Sequence, residues 1–520
     1  MQYKARELLY YSNERVKCCT NLCKTEKQEG RMRITIDLNA PTIPTDYSWQ
    51  FGLGADHAWQ FHRIDVCKHL KRAKEELGIK QVRFHGMFND DMFTYQTVRT
   101  LAPVLPKGGP IAEINFRQVA DILDNILDCG VKPFMELSFM PEELASGKKS
   151  GLKYKNNITP PKDYNKWAAY ITSFIEFLLS RYGKEEVESW WFEVWNEPDL
   201  GVFFAGTQKD YFKLYEVTAR AVKAVDPNLK IGGPSTSACR WIEEFIAFCR
   251  QNHVPLDFVS THHYPGDGFG NLITPDKYLG IGKVILDAWK QKRPLDKTMA
   301  DMFFYPDAAA GVPKGALTQM DDDLLAKTGD LPTIISEWNS MAIFAVPLHD
   351  EKYSAAFAMK TVLDLDNRFK GYMFWCLSDI FEEQIQLNRP FCGGYGIMTV
   401  DGIPKPNFWA FKMLSQLYPN RLNVGFRTHA DVEYAAFREG NKVQLLVYAQ
   451  NNDCRADDTF DVELDLGCAV TEVTVQKIDG THCNPKAMWQ SMGSPDYLSR
   501  EQVREICEAT RLRRCLLHRI

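Results

Sequence analysis

Between about residues 50 and 415, short apolar runs alternate with segments whose apolar residues recur every three or four positions. The runs are FGLGA (51–55), QVRFHGM (81–87), KPFMELS (132–138), WFEVWNEP (191–198), IGGPST (231–236), FVSTHHYP (258–265), TIISEWNS (333–340) and GYMFWCLS (371–378). Each has strand length, and most are apolar on both faces, as in a buried parallel sheet. Between them, Leu70, Ala73 and Leu77 recur at helical spacing before Gly78, and Val119, Ile122 and Ile126 before Gly130. The segment WAAYITSFIEFLLSRYG closes on Gly183. Glycine just past an apolar-periodic segment is a helix stop signal. Strands alternating with helices pair in parallel, and eight of them close a barrel. The expected fold class is therefore α/β, a (β/α)8 barrel over residues 49–418.

The period changes after about residue 420. VEYAAFREGNKVQLLVYAQNN and the later DTFDVELDLG and VTEVTVQKI alternate with period two, with a Gly-Asn turn in the first. That pattern predicts an accessory antiparallel β-sandwich over 419–520. MRITIDLNA repeats it, so residues 1–48 are expected to join the sandwich in part. Ser499 and Gln502 form a capping box that opens a last helix, and RLRRCLLHRI reads as a strand or short amphipathic segment. Residues 266–331 exceed a usual connection. They contain a helical piece, VILDAWKQK, and an acidic one, MDDDLL, and are expected to form an elaborated loop over the barrel mouth, with Asp321–Asp323 solvated.

Composition narrows the function classes. Across 520 residues, 45% hydrophobic and 25% charged content excludes a disordered chain. A net charge of −5 leaves no footprint for nucleic acid. No run approaches the ~18 apolar residues of a membrane span, and the first residues lack an apolar leader core. The expectation is a cytoplasmic protein with its 14 cysteines reduced. Cys18, Cys19 and Cys23 cluster without further ligands nearby, so they read as inert thiols rather than a metal site. No cofactor or metal is expected, and a homo-oligomer is left open. The 12 tryptophans suit sugar stacking, although a large aromatic core accounts for most such rings.

In such a barrel, side chains at the C-terminal strand ends line the active-site mouth. Glu197 ends the fourth strand and Glu337 the seventh; His85 ends the second, His262 and Tyr264 the sixth, and Trp375 the eighth. Two carboxyl groups across a sugar-sized cleft are the minimum equipment for glycoside hydrolysis, one protonating the departing oxygen, the other attacking the anomeric carbon or activating water. Arg83 shares strand parity with His85 and is an expected ion-pair partner for Glu337. Glu193 lies deeper on the same side as Glu197, which favours a buried structural role. His262 and His263 face opposite ways and cannot chelate one metal together. GDGFG (266–270) and CGGYG (392–396) fit no phosphate motif and read as turns. The sequon at Asn157 would go unused in the cytoplasm.

Two glutamates at strands four and seven, the first between Asn196 and Pro198, resemble those of the retaining barrel glycosidases. WFEVWNEPD, with VRFHGMFNDD, PFMELSFMP, ISEWN and FWCLSDIFEE in order, is similar to glycoside hydrolase family 39, which includes β-xylosidases and α-L-iduronidases. The resemblance implies Glu197 as acid/base and Glu337 as nucleophile. It implies that Asn196 holds the hydroxyl next to the anomeric carbon, and that His85, His262 and Tyr264 contact sugar hydroxyls or the nucleophile. Phe139 and Trp375 would be apolar walls, and Glu382 and Glu383 would sit at the far end of the glycone pocket. FEE after the eighth strand is closer to the bacterial β-xylosidases, so the expected activity is exo-cleavage of short xylooligosaccharides. Iduronides, arabinose-containing glycans, β-glucosides and β-galactosides are the alternative substrates. A sugar-binding protein without catalysis is the alternative class, disfavoured because both glutamates are present.

Overall fold

The computed structural model describes residues 7–11, 31–97, 112–154, 156–265, 283, 286–292, 314–342, 344–383, 389–424, 432–450 and 460–519. The eight expected strands form a closed barrel. They are β1 (Gly52–His57), β2 (Gln81–His85), β3 (Lys132–Glu136), β4 (Trp191–Glu193), β5 (Lys230–Thr236), β6 (Phe258–His263), β7 (Thr333–Trp338) and β8 (Gly371–Phe374). Every neighbouring pair is parallel, and β8 closes on β1. Helices cover the outside. Ile64–Leu77 ends on Gly78 at φ 79°, and Tyr164–Tyr182 ends on Gly183 at φ 82°, a left-handed backbone that costs glycine nothing.

The barrel interior is layered. Phe51, Phe134, Trp191, Phe258, Ile334 and Met373 pack as one apolar cluster at its lower end. Two residues further along the same strands come Glu136, Glu193 and Ser336, so the interior turns polar toward the mouth. Gly54 makes room for the wall above it: a Cβ there would lie 2.3 Å from the Trp375 ring.

The accessory region is a seven-stranded sheet beside a two-stranded one, and its centre differs from expectation. Glu433–Glu439 and Lys442–Tyr448 form the expected antiparallel hairpin about Gly440, but Glu7–Tyr11 lies between Lys442–Tyr448 and Glu472–Ile478, parallel to both. A strand from the far end of the chain is not bound by a hairpin's geometry. MRITIDLNA contributes to the other layer: Arg31–Thr35 pairs in parallel with Asp461–Asp465. Ile34, Val462 and Leu464 meet Val443, Leu445, Val447 and Val475 in one apolar core. Phe437, Leu446, Tyr448 and Ile478 join the main core around the barrel instead. Lys360, on helix Lys352–Leu365, ties the two regions through Glu433 at 2.9 Å. The capping box of Ser499 and Gln502 opens helix Arg500–Ala509, and Cys515–Arg519 is an edge strand.

The segment expected as a loop over 266–331 is in part a barrel helix. Ala316–Thr328 is the crossover between β6 and β7, and Asp321 is not solvated. It shares a helix face with Leu317, Leu324 and Thr328, and that face turns it inward, where Oδ1 lies 2.9 Å from Nδ1 of His263. Asp322 pairs with Arg368, and Asp323 is exposed. In VILDAWKQK, residues 286–291 are helical. The GDGFG turn and Cys18, Cys19 and Cys23 lie outside the described residues. Among the described residues, no helix is long and apolar enough to cross a membrane.

A buried ion triad holds the loops after β7 and β8. Lys405 Nζ lies 2.7 Å from both Asp350 and Asp379 and donates to the Gly394 carbonyl. Asp350 and Asp379 also accept from the Gly393 and Gly396 amides. Lys405→Met would strand two buried carboxylates. The expected cost is about 3–5 kcal/mol of stability, read as a lowered denaturation midpoint.

Candidate active site

Arg83 stands at the centre of the barrel, fully buried. Its Nε donates to Glu193 (2.6 Å), Nη1 to Glu337 (2.6 Å), and Nη2 to Asn196 (2.9 Å) and Ser235 (3.2 Å), with Glu136 2.8 Å away. Burial opposes its charge, but Glu193, Glu136 and Glu337 outweigh that and hold the guanidinium ionised. One side chain thus links β2, β3, β4, β5 and β7. Glu193 also accepts from Ser336 (2.7 Å), which makes it a fixed strut.

Local backbone irregularity aims the two candidate catalytic carboxyls. The β7 register shifts between Ile335 and Trp338 against β8, so both Ser336 and Glu337 bond toward the interior. Beyond β4, Trp195 and Glu197 hold positive φ (75° and 38°), a region sparsely populated by residues with a Cβ. The Glu197 amide donates to Ser235 O (2.8 Å), which pins this turn to β5. Asn196 and Glu197 then both reach the cleft.

The two glutamates have different surroundings. Glu337 is 5% exposed and accepts from Arg83 and from the Tyr264 hydroxyl (2.9 Å). Burial raises its pKa above the ordinary carboxylate value, and Arg83, His85 and Tyr264 offset only part of that rise. Glu197 lies 3.0 Å from His262 Nδ1. Burial, reinforced by Arg83 and His85, holds the His262 imidazole well below its ordinary pKa, so it is neutral. A neutral imidazole can donate to a carboxylate or accept from a carboxylic acid, so it serves both states of a group that gives and takes a proton. Single ligand atoms of Glu197, Glu337 and His262 all lie within 4.8 Å of one another.

His85 takes the other flank. Its Nδ1 lies 2.7 Å from Glu136, which outweighs burial and raises the imidazole to about 9. Its Nε2 faces Glu337 (3.7 Å) and Glu383 (3.6 Å). The Trp375 ring is 4.9 Å from His85, and Phe139 packs beside His85, Phe203 and Trp195. Burial raises the Glu383 carboxyl to about 8. Glu382 points elsewhere: its carboxylate lies 3.0 Å from His57 and 3.8 Å from Arg63, and the His57 contact lowers its pKa. The two glutamates expected together at one pocket end therefore diverge.

The structure thus gathers Arg83, His85, Asn196, Glu197, His262, Tyr264, Glu337, Trp375 and Glu383 into one cleft, with Phe139 behind. Sequence reasoning missed Glu136, Ser235 and Ser336. Glu136 was legible in principle, since it shares strand parity with the buried Phe134. Nothing in the sequence announces the bulge that turns Ser336 and Glu337 to the same side.

An eight-stranded barrel with paired carboxyls at the ends of β4 and β7, one held by Arg and Tyr and the other by a neutral His, defines a glycoside hydrolase. More narrowly, the chain belongs to glycosyl hydrolases family 39, whose sequence model matches residues 32–308 and 294–513. It is 38% identical over 490 residues to a β-xylosidase of Caldicellulosiruptor saccharolyticus, covering 93% of this chain and 92% of the relative. It is 31% identical over 472 residues to a β-xylosidase of Geobacillus stearothermophilus, covering 89% and 86%. A family 39 β-xylosidase structure from Caulobacter crescentus superposes with a TM-score of 0.70 at 27% identity, covering 93% of this chain and 94% of the other.

Proposed function

We propose that the protein is a retaining, exo-acting β-xylosidase that releases xylose from short xylooligosaccharides or aryl β-xylosides. The observation that carries the reading is the approach of Glu197 and Glu337, whose nearest ligand atoms lie within 4.8 Å. That closeness favours the ~5–5.5 Å carboxyl separation of retaining enzymes over the ~6.5–9.5 Å across which inverting enzymes place a water.

In the first step Glu337 attacks the anomeric carbon as Glu197 protonates the leaving oxygen. In the second, Glu197 takes a proton from water, which displaces Glu337 with net retention. Arg83 and Tyr264 favour the ionised form of Glu337 and aim it. Asn196, its Oδ1 fixed by Arg83, offers its amide N–H to the neighbouring hydroxyl of the sugar. Trp375 and Phe139 form the apolar walls, and His85 and Glu383 meet the far hydroxyls. We also propose the cytoplasm as its place of work, where the sequon at Asn157 stays unused. That side chain is also buried, its amide donating to Gly147 O.

Substrate choice rests on space more than on charge. Glu382 is paired with His57 and Arg63, and Glu383 is protonated near neutral pH, so neither offers a free negative charge to repel a uronate. That observation keeps the iduronide as the second reading. Arabinose-containing glycans, β-glucosides and β-galactosides follow it. The test is one panel of aryl β-xyloside, β-glucoside, β-galactoside, α-L-arabinofuranoside and α-L-iduronide. We expect the β-xyloside to lead the β-glucoside by at least ~10-fold in kcat/KM, the scale on which a filled pocket rejects one extra carbon group. Preference for the iduronide would replace the reading, and absence of turnover throughout would favour a sugar-binding protein.

Glu383 also predicts a pH response. Its folded pKa is raised to about 8, so the fold favours the protonated form, and that preference is lost as pH rises through 8. On a 2,4-dinitrophenyl β-xyloside, which leaves without a proton, kcat/KM is expected to fall above about pH 8. In Glu383→Gln that limb should move up toward about pH 9, where His85 loses its proton.

A further inference from the structure

The glycone end of the cleft is built by the segment after β8, and an unassigned group of side chains fixes that segment from two sides. From β1, Asp56 Oδ2 accepts the Glu382 amide (2.6 Å), and Gln60 Nε2 donates to the same oxygen (2.7 Å). His57, also at the end of β1 and 2% exposed, bonds through Nε2 to the Glu382 carboxylate at 3.0 Å. Arg63, at the start of the first barrel helix, lies 3.8 Å from the other carboxylate oxygen. Asp91, from the turn after β2, faces His57 Nδ1 at 3.9 Å. From the opposite side, the loop after β3 closes in. The Lys153 amide donates to Glu383 O (3.0 Å), and the Tyr154 ring lies flat on the His57 ring, with centroids 4.2 Å apart and planes 9° apart.

Glu382 is thus tied by backbone and carboxylate alike, and the adjacent Glu383 carboxyl is presented to His85 in the cleft. We infer that Asp56 and His57 are positioning residues for glycone selection: by clamping Glu382 they set where Glu383 stands and how much room lies beyond the far carbons of the sugar. Neither residue touches the reacting atoms. Their effect reaches the sugar only through Glu383, in the way an outer partner orients a group that does make contact. Holding Glu383 against the far hydroxyls makes the pocket fit a five-carbon sugar, with no group beyond the ring. Releasing it lets the pocket admit a hydroxymethyl group at the expense of the xylose contacts. The inference rests on the pentose reading above and deepens it.

The test compares full-length wild type, His57→Ala and His57→Gln on aryl β-xyloside and aryl β-glucoside. The concentration of active enzyme is counted in each by titration with a slow 2-deoxy-2-fluoro glycoside. We expect His57→Ala to raise KM for the xyloside about tenfold and to shrink the xyloside-to-glucoside ratio of kcat/KM about tenfold. Its kcat per active site should change much less. His57→Gln, which can still donate to Glu382, should recover most of both effects. A merely structural role would instead lower the active fraction and the melting temperature, with KM and the ratio unchanged per active site. That result, or Gln failing where Ala fails, overturns the inference. If His57→Ala does not fold, Asp56→Asn, which loses a charge but keeps its shape, is read by the same ratio. The wild-type panel decides the glycone independently. Should another sugar lead it, the pentose reading fails there, and the clamp is still judged by whether His57→Ala changes the ratio between the two best glycones.

Discussion

Glu337→Ala is expected to lower kcat on aryl β-xylosides by about four orders of magnitude or more, the scale of losing a covalent nucleophile. The variant should fold, because Arg83 keeps Glu193, Glu136, Asn196 and Ser235 as partners. The space left beside Arg83 and Tyr264 is the size of a small anion. Added azide should therefore restore part of the turnover by attacking the anomeric carbon from the side that Glu337 occupied. With no second displacement, the product is the α-glycosyl azide, opposite in configuration to the substrate. Proton NMR of the anomeric signal reads this directly. If azide leaves the rate unchanged or yields the β-glycosyl azide, Glu337 is not the nucleophile.

Glu197→Ala should fail differently. General acid catalysis contributes about 10²–10⁴-fold, and only leaving groups that need the proton lose it. The expected loss in kcat/KM is of that size for an unactivated phenyl or sugar leaving group and small for 2,4-dinitrophenolate. Hydrolysis of the glycosyl-enzyme also slows, because Glu197 no longer takes the proton from water. Azide, which needs no base, should accelerate that step and give the β-glycosyl azide, the retained anomer. His262, left facing the gap from 3.0 Å of the lost carboxyl, is neutral and is not expected to replace the acid. An equal loss for good and poor leaving groups would reverse the assignment of roles.

The barrel was legible because most of its strands are apolar on both faces and end abruptly on polar residues. Glu197 and Glu337 stand out at such ends, and Gly78 and Gly183 mark helices that stop where expected. The rest depended on contacts that no local pattern encodes. Asp321 looks solvated inside an acidic run, yet helical phase turns it toward His263. Glu7–Tyr11 reaches a central place in the accessory sheet by pairing across more than four hundred residues of chain. The clamp on Glu382 joins residues from β1 to the segment after β8, a neighbourhood that exists only once the barrel closes.

The central claim is that Glu337 forms a covalent bond to the sugar, and trapping that bond tests it most directly. A 2-deoxy-2-fluoro-β-xyloside with a 2,4-dinitrophenyl leaving group reacts once. The fluorine disfavours positive charge at the anomeric carbon in both steps, while the good leaving group carries the first step through. Mass spectrometry of the intact protein should show one fluoroxylosyl group per chain, and peptide mapping should place it on Glu337. The account is contradicted if a catalytically active preparation forms no adduct, or if the sugar is found on Glu197 or any other side chain.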